Sequence, residues 1–95
     1  MRRILPLLAL LAFFAAPAHA ACYADYKAKK DNPLQLHYGV IELPEAACNA
    51  PRRARNTVAR RIAADGWQLL NIMSTFGPEG LDQRRASAAN FFLRY

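Results

Sequence analysis

Cys22, Cys48 and His37 are the residues whose types could do the most distinctive chemistry in this 95-residue chain. Two thiols can close a disulfide, and two thiolates with an imidazole can hold a soft metal ion. The spacing decides between them. Neither a C-x-x-C pair nor any recognised zinc-ligand interval is present. An even pair of cysteines in a small domain favours the bridge, which would close a loop of 26 residues. A small enzyme or metal carrier centred on Cys22, His37 and Cys48 is the competing reading.

Other catalytic groupings are hard to assemble. Ser74 and Ser87 have only His37 as a base, and no spacing links them. Asp25, Glu42, Glu45, Asp65, Glu79 and Asp82 are carboxylates that nothing in the sequence pairs. Gly-rich phosphate loops and H-E-x-x-H are absent. The expectation is a non-catalytic protein, with no catalytic residues, no metal and no cofactor.

Five arginines break a local rule. Arg52, Arg53, Arg55, Arg60 and Arg61 fall on one predicted helix, three of them in its first turns. Cations there oppose the helix dipole by about 0.3–1 kcal/mol each at low salt. The bland reading is a solvated face. The sharper one is an anion-facing surface for lipid head groups, acidic polysaccharide or an acidic protein. Aromatic interleaving for single-stranded nucleic acid is missing, so no nucleic-acid partner is expected.

The N-terminus sets the compartment. Arg2-Arg3, an apolar run over Ile4–Ala16, Pro17 and Ala18-His19-Ala20 follow the order of a secretory signal peptide. The run is short of the roughly 20 residues that span a bilayer. Acylation of Cys22 is disfavoured, because His19 stands where a lipobox wants an apolar residue. The expectation is therefore a periplasmic or secreted protein, with residues 1–20 removed and residues 21–95 forming one domain. Removing 20 of 95 residues leaves 75, without a transmembrane segment. Removing Arg2 and Arg3 from 13 Lys+Arg leaves 11 against 7 Asp+Glu, a net charge of +4. A domain this small buries only about 60% of its unfolded surface, so a bridge would matter.

The elements that must position these residues follow from period. Cys22–Lys30 has a helix-like charge order, with Asp25 early, Lys27, Lys29 and Lys30 late, and Asn32-Pro33 as a stop. The same residues also alternate as a strand would. The balance leans to a short helix. Leu34–Leu43 reads as a strand with Leu34, Leu36, Tyr38 and Val40 inward and His37 on the polar side. Asn49–Gly66 reads as the main helix. Asn49 is its cap, Pro51 lies in its first turn, and Ala54, Val58 and Ile62 form its apolar stripe, with Ala59 beside it. Arg52, Asn56, Arg60, Arg53, Thr57 and Arg61 fall on the opposite face. Trp67–Phe76 reads as a strand apolar on both sides, and Gly77–Gly80 as a turn. Leu81–Ala88 is a loose helical turn. Ala89–Tyr95 is a closing strand with Phe91, Leu93 and Tyr95 on one face. The sum is an α+β fold: about three antiparallel strands packed on one helix. Gly66 is the left-handed cap and Trp67 a core anchor.

Ala63-Ala64-Asp65-Gly66-Trp67-Gln68-Leu69-Leu70 resembles the "E-G-W-E-L-V" segment of a family of small bacterial domains (domain of unknown function four-one-seven-seven), and Phe92-Leu93-Arg94 is similar to its closing "F-K-R". That resemblance implies a strand, a helix ending at Gly-Trp, and a final antiparallel pair of strands. It brings no catalytic residues. The signal peptide, the cysteines and Cys22–Lys30 depart from the family's pattern.

Overall fold

The computed structural model of the protein describes residues 21–95. The segment read as a signal peptide, residues 1–20, lies outside the described residues. Three strands, β1 (Cys22–Lys30), β2 (Gln35–Leu43) and β3 (Gln68–Phe76), form an antiparallel sheet in the order β2-β1-β3. Helix α1 (Pro51–Ala63) packs on one face and the seven-residue α2 (Asp82–Ala88) on the other. The fold is the small α+β arrangement expected.

Cys22–Lys30 is the central strand and not a helix. The end-charge pattern that suggested a helix is worth under ~1 kcal/mol per group. As a strand, the segment sends Ala24, Tyr26 and Ala28 to the α1 face, each fully buried. An aromatic ring alone removes about 150–250 Å² from water, worth several kcal/mol at about 25 cal/mol per Å². Tertiary burial therefore outweighs the local electrostatics.

β2 is a strand, but in the opposite phase from that expected. Leu34 and Leu36 are 63% and 66% exposed, whereas His37, Ile41 and Leu43 are buried. Pairing of Ala28 with His37, Tyr26 with Gly39 and Ala24 with Ile41 puts the odd-numbered residues of β2 on the α1 face. A slip of one residue exchanges the two faces of a strand. The sequence could not choose the phase, because Val40 and Ile41 are both core-forming. Val40 is 1% exposed on the other face, where Ala88 is also buried. Gly39 is required by close approach: a Cβ there would meet the Tyr26 hydroxyl at 2.5 Å.

α1 buries Ala54, Val58 and Ile62, as its period indicates, with Ala59 partly buried against the same core. Thr57 joins them at 5% exposure and so leaves the arginine face. Asn49 does not cap the helix; Ala50 holds that position without a side-chain hydrogen bond. The C-terminal end closes as expected at Gly66, φ +85°. Gly66 N–H donates to Ala63 O at 2.9 Å and Trp67 N–H to Ile62 O at 3.2 Å. This pair of bonds caps a helix through a left-handed residue.

β3 carries two irregularities against β1, between Asp25/Tyr26 and Lys27/Ala28, where Met73 and Leu70 are passed over. Leu69, Ile72 and Thr75 consequently pair with Ala28, Tyr26 and Ala24. Strict alternation along β3 would group Leu70, Ile72 and Phe76 on one face and Leu69 and Met73 on the other. Leu70 and Met73 are instead exposed. Each bulge resets the phase of the strand.

The C-terminal segment is not a strand. Ala89–Phe91 is a single 3-10 turn, and Phe92 makes one parallel bridge to Val40. Leu93 N–H donates to Val40 O at 2.8 Å. Positive φ at Ala89 (50°) and Leu93 (55°) turns the chain off the β2 edge on either side of that bridge. The segment thus acts as a strap.

Candidate functional site

Cys22 and Cys48 are joined as a disulfide, with Cα atoms 5.9 Å apart, and there are no free cysteines. The bridge ties the start of the central strand to the turn that leads into α1. It also closes the metal reading. Bridged sulfurs are not thiolates, and His37 pairs with Ala28, six residues along β1 from Cys22, about 20 Å away at ~3.3 Å per residue.

His37 is 9% exposed and not the solvent-facing strand histidine expected. Its ring lies against Phe91 at 3.6 Å, nearly parallel, with the edges of Trp67 at 4.2 Å and Tyr26 at 5.3 Å around it. The Tyr26 hydroxyl and His37 Nε2 are 2.9 Å apart, and Nδ1 has no partner. A neutral imidazole and a phenol bring two protons to this single bond. One buried proton therefore goes without an acceptor, whichever tautomer forms. Burial, with Lys30 and Arg94 nearby, lowers the His37 pKa to about 4. The imidazole is neutral at physiological pH. Lys30 Nζ lies 4.6 Å from the Trp67 ring centre.

On the opposite face, Asp25 gathers three donors from three distant elements. Ser74 Oγ donates to Oδ1 at 2.6 Å, while the Tyr38 hydroxyl donates to Oδ2 at 2.7 Å. Arg84 Nε donates to the same Oδ2 at 3.1 Å. Burial alone would raise the Asp25 pKa, but the bonds from Ser74, Tyr38 and Arg84 and the Arg84 charge together lower it. Tyr38 is pushed up to about 12 by burial and by its bond to that carboxylate. Arg84 is itself held by Gly80 O at 2.8 Å and by the Phe76 ring at 3.9 Å. A carboxylate held ionised in this way is a weak general base, and the Ser74 proton points at it. The cluster locks α2 to the sheet. The sequence did not reveal it, because its partners are 13, 49 and 59 residues from Asp25. The one local signal was an aspartate among the outward residues of the alternating reading of β1.

Of the arginines, Arg52, Arg53, Arg55 and Arg60 are exposed and form no ion pair among the described residues. Arg61 departs from the group: its guanidinium donates to Glu42 O at 2.8 Å and fastens α1 to the end of β2. Ala50, Arg52, Arg53 and Asn56 line a shallow depression of about 310 Å³ at the start of α1. A larger groove of about 470 Å³ lies between that end of α1 and β3, beside the disulfide. Of the two hydroxyl residues that line it, Ser74 is committed to Asp25, and Thr75 has no His, Asp, Glu or Lys beside it in the lining to act as a base.

Trp67 is 8% exposed and part of the main core, in edge contact with His37 and Phe91. No family model, curated protein or solved structure matches this chain.

Proposed function

We infer that this chain is an exported, non-catalytic binding module that engages an anionic envelope component through the exposed arginines of α1. The observation that carries the reading is the state of the helix start. Arg52 and Arg53 stand beside Asn56 in a depression where no side chain caps the helix. Pro51 has no N–H, and the next first-turn amides are unsatisfied by any cap. Two guanidiniums and a bare helix N-terminus present donors and positive potential to one place. A bound anion would relieve the conflict between those arginines and the helix dipole. Export is supported by the order of residues 1–20 and by the bridge, which forms in oxidising compartments. The non-catalytic part of the reading is supported by Asp25, engaged by three donors of its own fold, and by His37, buried among rings away from solvent. Kinship with the family of small bacterial domains rests on residues 63–70 and 92–94, and the irregular C-terminal strap departs from that family's final strand.

The test is retention on phosphatidylglycerol vesicles and on heparin across a salt series, for wild type and for the Arg52→Gln/Arg53→Gln variant. Wild type should bind at low salt and release as exposed charges become screened within about 8 Å at physiological ionic strength. The variant should bind more weakly and be slightly more stable. Absence of retention at low salt, or equal retention of the variant, overturns the reading. Intact mass of the exported protein should correspond to a chain beginning at Ala21.

A further inference from the structure

We propose that the uncovered half of the α2 face of the sheet is a binding site for a free anionic amphiphile: one medium-length acyl chain carrying a carboxylate, of the fatty-acid class. This site is separate from the α1 arginines, and the proposal goes beyond the function inferred above.

α2 shields only one end of this face. Val40 and Ala88 are buried there, at 1% and 2% exposure. Towards the β1–β2 turn the sheet is bare, and large apolar side chains stand in solvent. Leu34 is 63% exposed, Leu36 66% and Leu70 42%. Single exposed leucines are ordinary on protein surfaces, whereas apolar residues gathered at a depression mark a contact site. Here Leu36 and Leu70 come from the two outer strands. They flank a groove of about 310 Å³ that Lys27, Ala28, His37 and Tyr38 also line. That volume lies at the lower end of the range for small-molecule sites.

Lys27 supplies the polar end. It is exposed on the central strand, in register with Tyr38 on one side and Asn71 on the other. It has no ion-pair partner among the described residues. Asp25, two residues along the same face, is fully engaged by Tyr38, Ser74 and Arg84. Lys29, the next cation on that face, pairs with Asp31 at 3.3 Å. One free ammonium therefore sits at the groove, with leucines to either side. That is the complement of a carboxylate at the end of an alkyl chain. A second copy of this chain is a poorer occupant, because two-fold packing of these faces would bring the two Lys27 side chains together. Leu70 lies at one of the two bulges of β3 against β1 and stands exposed beside the groove. Strict alternation from the buried Leu69 would also send Leu70 to this face, but Met73 would then be on the α1 side.

The experiment follows backbone amide shifts of the disulfide-bonded protein, purified from an exporting host, during titration with laurate and with methyl laurate. Shifts should saturate and centre on Lys27, Leu36, Tyr38 and Leu70. Laurate should bind more tightly than its ester by about threefold to fivefold, the scale of an exposed ion pair. Each methylene added to a shorter chain should tighten binding by up to about fourfold. Lys27→Gln should abolish the preference for the acid over the ester. Leu36→Ser/Leu70→Ser should weaken both ligands, and both variants should keep the wild-type shift pattern on α1. Arg52→Gln/Arg53→Gln should leave laurate binding unchanged, so this site and the α1 site stand or fall separately. Non-saturating shifts, shifts centred on α1, equal binding of acid and ester, or binding to phosphatidylglycerol vesicles without binding to monomeric laurate would each overturn the proposal.

Discussion

The His37 imidazole and the Phe91 ring lie face to face, with centroids 3.6 Å apart and planes 8° from parallel. One residue comes from the edge strand β2 and the other from the strap that follows α2. This contact fastens the C-terminal strap together with the Leu93 N–H bond to Val40 O and the Tyr95 hydroxyl, which donates to Asp65 at 2.8 Å. It also places an ionisable ring where ionisation is costly, since burial denies its charged form water and Lys30 and Arg94 already supply positive charge nearby.

Acid should therefore loosen the protein in two stages. The folded His37 pKa is lowered to about 4 from an ordinary value of 6.5. Between those values the unfolded chain binds the proton and the folded one does not. Stability should be constant above about pH 6.5 and fall as pH drops towards 4, by up to roughly 3 kcal/mol. Asp25, whose pKa is lowered, adds a further loss below the ordinary aspartate range. His37→Phe keeps a stacked ring without titration. Urea midpoints at pH 7, 5.5 and 4.5 should fall in wild type and stay nearly level in the variant over the upper window.

The Asp25–Arg84 pair should behave as a partly buried ion pair. Arg84→Ala leaves a charged carboxylate at 6% exposure with only two neutral donors, and should cost about 2–4 kcal/mol. Asp25→Asn in the Arg84→Ala background should recover part of that loss, because the buried charge goes too. A double-mutant cycle read by chemical denaturation checks this. Simple additivity would mean that α2 is held by packing alone.

Reducing the Cys22–Cys48 bridge should be costly for a domain of this size. A 26-residue separation corresponds to about 3.5 kcal/mol of lost unfolded-chain entropy. Cys22→Ser/Cys48→Ser should lower the denaturation midpoint by a matching amount, and reductant should then have no further effect.

Trp67→Ala should cost about 3–5 kcal/mol, as other buried aromatic truncations do. It should also raise the His37 pKa, since the indole is part of what keeps water from that ring. An imidazole proton titration by NMR reads the second effect independently of stability.

What the sequence determined by itself are features with a local cause. Ala54, Val58 and Ile62 repeat at the helical period, so α1 and its buried stripe were legible. Gly66 was legible because one glycine suffices to cap a helix in the left-handed region. The bridge was legible from two cysteines in a small chain, and the α+β class from the mixture of periods. The tertiary structure alone decided the rest. Cys22–Lys30 has a helix-like charge order, and burial between two partner strands overrode it. β2 carries apolar side chains on both of its faces, so only its register with Ala28, Tyr26 and Ala24 chose which one meets α1 and took His37 inside. The bulges that take Met73 off the α1 side and bring Ile72 onto it depend on how β3 fits β1, not on β3's own residues. Asp25 meets Tyr38, Ser74 and Arg84 only after 13, 49 and 59 residues of chain have been folded back. Period and capping act within a turn or two of chain, whereas phase, burial of a polar side chain and the convergence of donors on a carboxylate are set by neighbours distant in sequence.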